Sequence, residues 1–531
     1  MRKIIAYLLL GSVIVGAGSC KKSRLDLESR SAYDFNNYFT NKGALNEAVV
    51  STYATLLHQG LWSRDYYYIF DMLGAEAKRT TNLQGGFVQL SSYSFGTNQE
   101  NISLLWNSLY RMIFRANVTV DRATVWNPAN ATDQQFAKQY IAEAKFLRAY
   151  AYFHIVNLWG AAPLIKTYDD VLKNNYMPRS AATAIWEFIE ADLASAIPDL
   201  PVTYASTELG RATRGAATAL LGKAYLYQKK WGLAQSTLKL LDQAPYTYDL
   251  DPSYDNLFST TNQNSVENIF QVMNGSWTDW SIGNQYYMFG GQETWGGKAT
   301  HSGRAQEYGF KDWWNTYVTT ASVNAFKYPN PVNGTSYVDP RAYSTFYGDK
   351  ASGGDTVYCE SCPGGKISYP FNAADPQGHY SWRKYEYYDK MASFGGPQSP
   401  INAQVIRFAD VLLMLAETYI QQGDFGSTPL GLINRVRQRA GAINYLNLGG
   451  SQSSAMNLLM RERQLELCGE QSRYFDLIRW GIAKQVINSI KAVEPGDGTQ
   501  PFQDKHVLLP IPNVEKDFNP NVANDIKNDW N

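Results

Sequence analysis

Residues 461–481 read Arg461-Glu-Arg-Gln-Leu-Glu-Leu-Cys-Gly-Glu-Gln-Ser-Arg-Tyr-Phe-Asp-Leu-Ile-Arg-Trp-Gly481. Opposite charges stand three apart, Arg463 with Glu466 and Arg473 with Asp476, while the acids Glu462, Glu466 and Glu470 stand four apart. Apolar Leu465, Cys468, Phe475 and Ile478 interleave with them. At helical spacing this puts charge on one face and apolar side chains on another, the pattern of an amphipathic helix laced with ion pairs. Gly469 lowers helical preference at the centre by about 1 kcal/mol relative to Ala, which predicts two short helices and a kink.

Working outward, Val411 to Arg439 and Arg214 to Leu241 each read as a helix–turn–helix. Small residues alternate with large ones, and the Lys229-Lys-Trp-Gly232 turn resembles that of a tetratricopeptide unit. The two units are separated rather than tandem. This predicts a mostly α chain with a tetratricopeptide-like helical scaffold and a large loop-rich insertion containing short strands, not an uninterrupted solenoid. Gly43 to Leu57, Trp106 to Ala123 and Gln135 to Leu158 read as further helices, the last stopped by Gly160 and Pro163. His154 lies on its apolar face and reads as a packed histidine. Residues 61–97 read as loop-rich, with Trp62, Tyr66, Tyr67 and Tyr93 as candidates for an exposed aromatic surface.

The insertion spans roughly residues 262–400. It opens with a strand-like run, Val266 to Met273. From Asn274 to Gly297 six aromatics then lie among Gly, Ser, Thr, Asn and Gln, a composition that suits neither a core helix nor a regular strand. The tail from residue 491 carries Leu508-Leu-Pro-Ile-Pro512 and Asn519-Pro-Asn521 and reads as extended and turn-rich.

The chain has 531 residues, 44% of them hydrophobic and 18% charged, which is the composition of a globular chain with a sizeable core. Its 48 basic and 48 acidic side chains balance, so no basic excess exists to neutralise nucleic-acid phosphates. At the N-terminus, Met1-Arg-Lys precedes an apolar run from Ile4 to Val15, too short to span a bilayer. The run ends in Gly16-Ala-Gly-Ser-Cys20, which resembles a lipobox. On that reading residues 1–19 form a signal peptide, Cys20 carries lipid, and 20–40 is a tether; a plain secretory signal with an incidental cysteine is the alternative. Cys359 and Cys362 form a CxxC in a glycine-rich loop, read as a local disulfide or two free thiols. Only Cys468 remains, so a four-cysteine metal site cannot be assembled.

The order carried by Glu462, Arg463, Glu466, Leu467, Glu470, Arg473, Tyr474, Phe475, Asp476, Leu477, Arg479, Trp480 and Gly481 resembles the C-terminal signature of SusD/RagB-type outer-membrane lipoproteins. Arg407 to Glu417, Asn434 to Gly441, Leu147 to Leu164 and the late Leu-Pro-Ile-Pro run extend the resemblance. Two positions depart: that family usually has an aromatic where Gly469 stands and a glycine where Gln471 stands. The resemblance implies an N-terminal helical region (41–261) and a C-terminal region (262–531) divided into insertion, helices (401–490) and tail. It implies that the signature charges are scaffold.

It also implies a cell-surface lipoprotein of the outer membrane that binds oligo- or polysaccharide and acts as a lid on a SusC-like TonB-dependent transporter. Independently, flat indole and phenol rings can cover the C–H face of a sugar while Asn, Gln, Asp and Arg bond its hydroxyls. The expected platform is Trp277, Trp280, Tyr286, Tyr287 and Trp295, with Trp62 and Tyr66 opposite. No zincin motif, nucleophile elbow or dinucleotide fingerprint occurs, and five scattered histidines assemble no triad or metal centre. The reading is therefore a binding protein without cofactor or metal. A peptide-capturing RagB-like lipoprotein and a surface glycosidase are the alternatives.

Overall fold

The computed structural model describes residues 38–83, 85–259, 261–274, 304–309, 313–348, 356–358, 366–368, 380–386, 401–494, 496, 498, 500–525 and 530. Its principal helices are α1 (Lys42–Tyr53), α2 (Asp65–Leu73), α3 (Glu100–Val125), α4 (Ala131–Trp159), α5 (Ala182–Ala196), α6 (Arg214–Tyr227), α7 (Trp231–Lys239), α8 (Phe408–Gln421), α9 (Ser427–Arg439), α10 (Gln452–Glu466), α11 (Arg473–Arg479) and α12 (Ala483–Val493). Among the described residues no helix is long and apolar enough to cross a membrane.

Helix α4 is the central element. The Asn130 side chain accepts from Asp133 N at its start, and Gly160, at φ +66°, ends it. Its second half is buried almost all round, between α3 and α5. Arg148 on α4 reaches Asp192 on α5 through two bonds of 2.7 and 2.8 Å, which fixes the register of the pair. His154 is buried there, as its apolar surroundings predict. Its Nε2 faces Tyr66 Oη and its Nδ1 faces the Tyr150 carbonyl, each at 2.9 Å.

Both expected helical hairpins form, α6 with α7 and α8 with α9. Residues far apart in the chain bring them together: α7 packs against α8, so the hairpins are neighbours in space although not in sequence. Gly222 makes the α6–α7 approach possible, because a Cβ there would stand 2.5 Å from Leu238 Cδ2. Strands among the described residues are short and occur as two-stranded antiparallel pairs. The expected strand 266–273 contains β1 (Asn268–Val272), which pairs with β2 (Ala403–Arg407) across the whole insertion.

The loop-rich reading of 61–97 gives way in two places. Gly86–Ser92 is helical, and α2 buries every one of its residues. Asp-Tyr-Tyr-Tyr-Ile-Phe-Asp-Met-Leu lacks a polar stripe, and a helix apolar all round belongs inside a fold. Tyr67 and Tyr93 are buried with it. The tail also departs from its expected extended form, with short helices at Asn513–Phe518 and Pro520–Ala523.

Asp65 opens α2 with its carboxyl fully buried. Burial pushes its pKa up to about 7, against the opposing pull of Arg64 and Asn101. The native state thus keeps a proton that an unfolded aspartate, with a pKa of about 3.9, has released. The stability this proton contributes is complete below about pH 4 and is lost as pH rises to about 7. Asp65→Asn is neutral at every pH. It is expected to gain roughly 2 kcal/mol relative to the native sequence between about pH 5 and about pH 8, read by urea unfolding at both values.

Candidate functional site

The signature stretch is two helices, α10 and α11, with a break between them at Leu467–Ser472, as its spacing and Gly469 predict. Its charged face is not on the surface. Glu462, Arg463, Glu466 and Asp476 are all buried, and the amphipathic-helix expectation is corrected on this point. The physical reason is compensation. Glu462 accepts from Arg341 and Arg437, each at 2.6 Å. Glu466 accepts from Arg341 at 3.0 Å, from Arg407 at 2.9 Å and from Arg439. Glu470 binds Arg407 through both oxygens at 2.7 Å and Lys384 at 2.7 Å.

Burial alone would raise the Glu466 carboxyl; Arg439, Arg407 and Arg341 together hold it well below the usual carboxylate range. A second cluster joins Arg463 to Asp476 and Asp410, each at 2.8 Å. Every oxygen of Glu462, Glu466 and Glu470 is taken by a cation. None is available to a substrate, so this cluster is a weld between segments rather than a catalytic centre.

The two departures from the family pattern are also explained. Gly469 sits at φ +74°, and a Cβ there would meet Trp382 Cζ3 at 2.6 Å. Glycine is therefore required here, and the cost reckoned for a continuous helix does not apply. Gln471 adopts φ +58° without being glycine. Its Nε2 donates to Asp71 Oδ1 at 2.8 Å and to the Gly469 carbonyl at 2.9 Å, which offsets the strain.

The weld fixes where the insertion leaves and returns. Arg407, at the end of β2, and Glu267, just before β1, pair with each other within it. At the other end of the β1–β2 pair, Asn274 N donates to Asn402 Oδ1 at 2.8 Å and Asn274 Nδ2 to the Ile401 carbonyl at 2.7 Å. The chain is next described at Arg304. That guanidinium donates to Asp71 at 3.1 Å and to the Gly469 carbonyl at 2.8 Å, and lies 3.8 Å from the centre of the Tyr385 ring. Both ends of the 275–303 segment are therefore held by buried polar contacts.

Trp277, Trp280, Tyr286, Tyr287 and Trp295 lie outside the described residues, as do Cys20, Cys359 and Cys362. Trp62 and Tyr66 are described, and the structure corrects their assignment. They are 5% and 4% exposed. Trp62 Nε1 donates to Tyr150 Oη at 2.9 Å, and the Trp62 and Tyr66 rings lie 4.3 Å apart. They line a cavity of about 50 Å³, enough for water and too small for a sugar ring.

Residues 242–526 match the SusD family. The chain belongs to the SusD family. Residues 25–226 match a second SusD-like family, described as starch-binding and associating with the outer membrane. A SusD-like protein of Formosa agariphila is 25% identical over 98% of this chain and 97% of its own length. Among solved structures, a SusD homologue from Bacteroides thetaiotaomicron superposes with a TM-score of 0.74 at 22% identity, over 93% of this chain and 98% of its own. A laminarin-binding SusD-like protein gives 0.69 at 23% identity, over 90% and 98%. These likenesses carry the SusD fold across both halves of the chain.

Proposed function

We propose that this SusD-family protein captures oligo- or polysaccharide at the cell surface and passes it to a SusC-like TonB-dependent transporter. It is held at the outer membrane by lipid on Cys20. The observation that carries the reading is the polar–aromatic sequence after Asn274, whose flanking residues Asn274 and Arg304 are both held by buried polar contacts on a family scaffold. Trp277, Trp280, Tyr286, Tyr287 and Trp295 are the proposed stacking residues, each worth about 0.5–1.5 kcal/mol by analogy with ring–ring contacts. Contacts repeated along a chain add without a catalyst. The starch-binding description of the family matched by 25–226 and the laminarin-binding relative support the same class of ligand.

Affinity electrophoresis against a polysaccharide panel, with a peptide pool in parallel, tests the proposal. Retardation by one glycan class and none by peptides is the expected result. Binding of peptides alone points to capture of peptide instead. New reducing ends after incubation identify a glycosidase.

A further inference from the structure

A second surface is built where the two helical hairpins meet α10 and α11. It is a groove of about 350 Å³, within the range of roughly 300–1,000 Å³ usual for small-molecule clefts. Trp231 and Trp480, both half-buried, form its aromatic walls, and Met456 and Met460 line it. The polar groups of the groove are unequal. Glu417 is consumed: one oxygen accepts from Arg479 and from Trp480 Nε1, the other from Arg479. One face of Trp480 lies 4.7 Å from the Arg479 guanidinium.

Trp231 is different. Among the described residues its indole meets no other aromatic ring and its N–H finds no acceptor. Lys229, exposed on the hairpin turn at φ +59°, pairs with no acid among them. Lys229 and Trp231, two positions apart in the chain, both line the groove. Two donors, the Lys229 ammonium and the Trp231 N–H, are thus unanswered among the lining residues, with the Tyr227 hydroxyl beside them and the half-buried Trp231 ring packed on one side against the core.

We propose that this groove takes a pyranose ring carrying a carboxylate or sulfate, its C–H face on Trp231 and its oxyanion toward Lys229. The sugar class rests on the function proposed above; the site does not use the 275–303 segment. An oxyanion adds a direct charge contact with Lys229 that neither a neutral sugar nor an apolar side chain can make.

The test titrates three oligosaccharides of equal length, an oligouronate, a sulfated and a neutral one, into the native protein, Trp231→Ala, Lys229→Gln and the double variant Trp277→Ala/Trp280→Ala. A glutamate hexapeptide serves as a fourth ligand. Trp231→Ala is expected to weaken the anionic sugars about five- to tenfold. Lys229→Gln is expected to weaken them about two- to fivefold, with a smaller salt dependence, and to leave the neutral sugar unchanged. Being on an exposed turn, Lys229→Gln keeps the fold and tests the charge separately.

Binding lost in the Trp277/Trp280 variant but kept in Trp231→Ala and Lys229→Gln overturns the groove and spares the loop. The opposite pattern supports the groove and rejects the loop. Equal loss of the hexapeptide in Trp231→Ala overturns the sugar assignment.

Discussion

Glu466→Gln is expected to destabilise the protein by roughly 3–5 kcal/mol, the cost of leaving buried charge uncompensated. Glu466 answers three arginines at once, from the insertion (Arg341), from β2 (Arg407) and from α9 (Arg439). Glutamine keeps the shape and loses the charge, so three buried guanidiniums are left sharing the remaining acids. The control is Arg435→Gln. Arg435 pairs with Asp242 and Asp249, but its side chain is 35% exposed, so a change under about 1 kcal/mol is expected. Urea unfolding of both variants checks the contrast. Equal small losses would mean that the weld adds no more than a surface pair.

Trp277→Ala with Trp280→Ala is expected to reduce affinity for the cognate glycan by about ten- to a hundredfold, from roughly 1–3 kcal/mol of lost stacking. The fold should survive, because the anchors at Asn274 and Arg304 bond through groups these substitutions do not touch. Calorimetry reads the affinity and circular dichroism the fold. Native dichroism with undiminished affinity rejects the platform.

Helical periodicity was legible because it is local. The hairpins at 214–241 and 411–439, the break at Gly469 and the packing of His154 all follow from spacing within a few turns of chain. The character of a charged face was not. The acids Glu462 and Glu466 read alike as surface or core residues, since their partners Arg341, Arg407 and Arg439 lie outside the stretch. The same limit misled the reading of Trp62 and Tyr66. Aromatic residues near glycines and polar side chains suggest an open surface, and only the packing of α2 against α4 puts them inside.

By itself the sequence determined the helical class, the family signature, the balanced charge and the places where helices stop, because each depends on neighbours in the chain or on composition. The tertiary structure decided which charges are buried, why glycine stands at 469, how Gln471 tolerates a left-handed backbone, and that two hairpins far apart in sequence share one groove. Those outcomes depend on long-range pairing. Burying a charge is favourable only when its counter-charge arrives from elsewhere in the chain, and that arrival is a property of the fold.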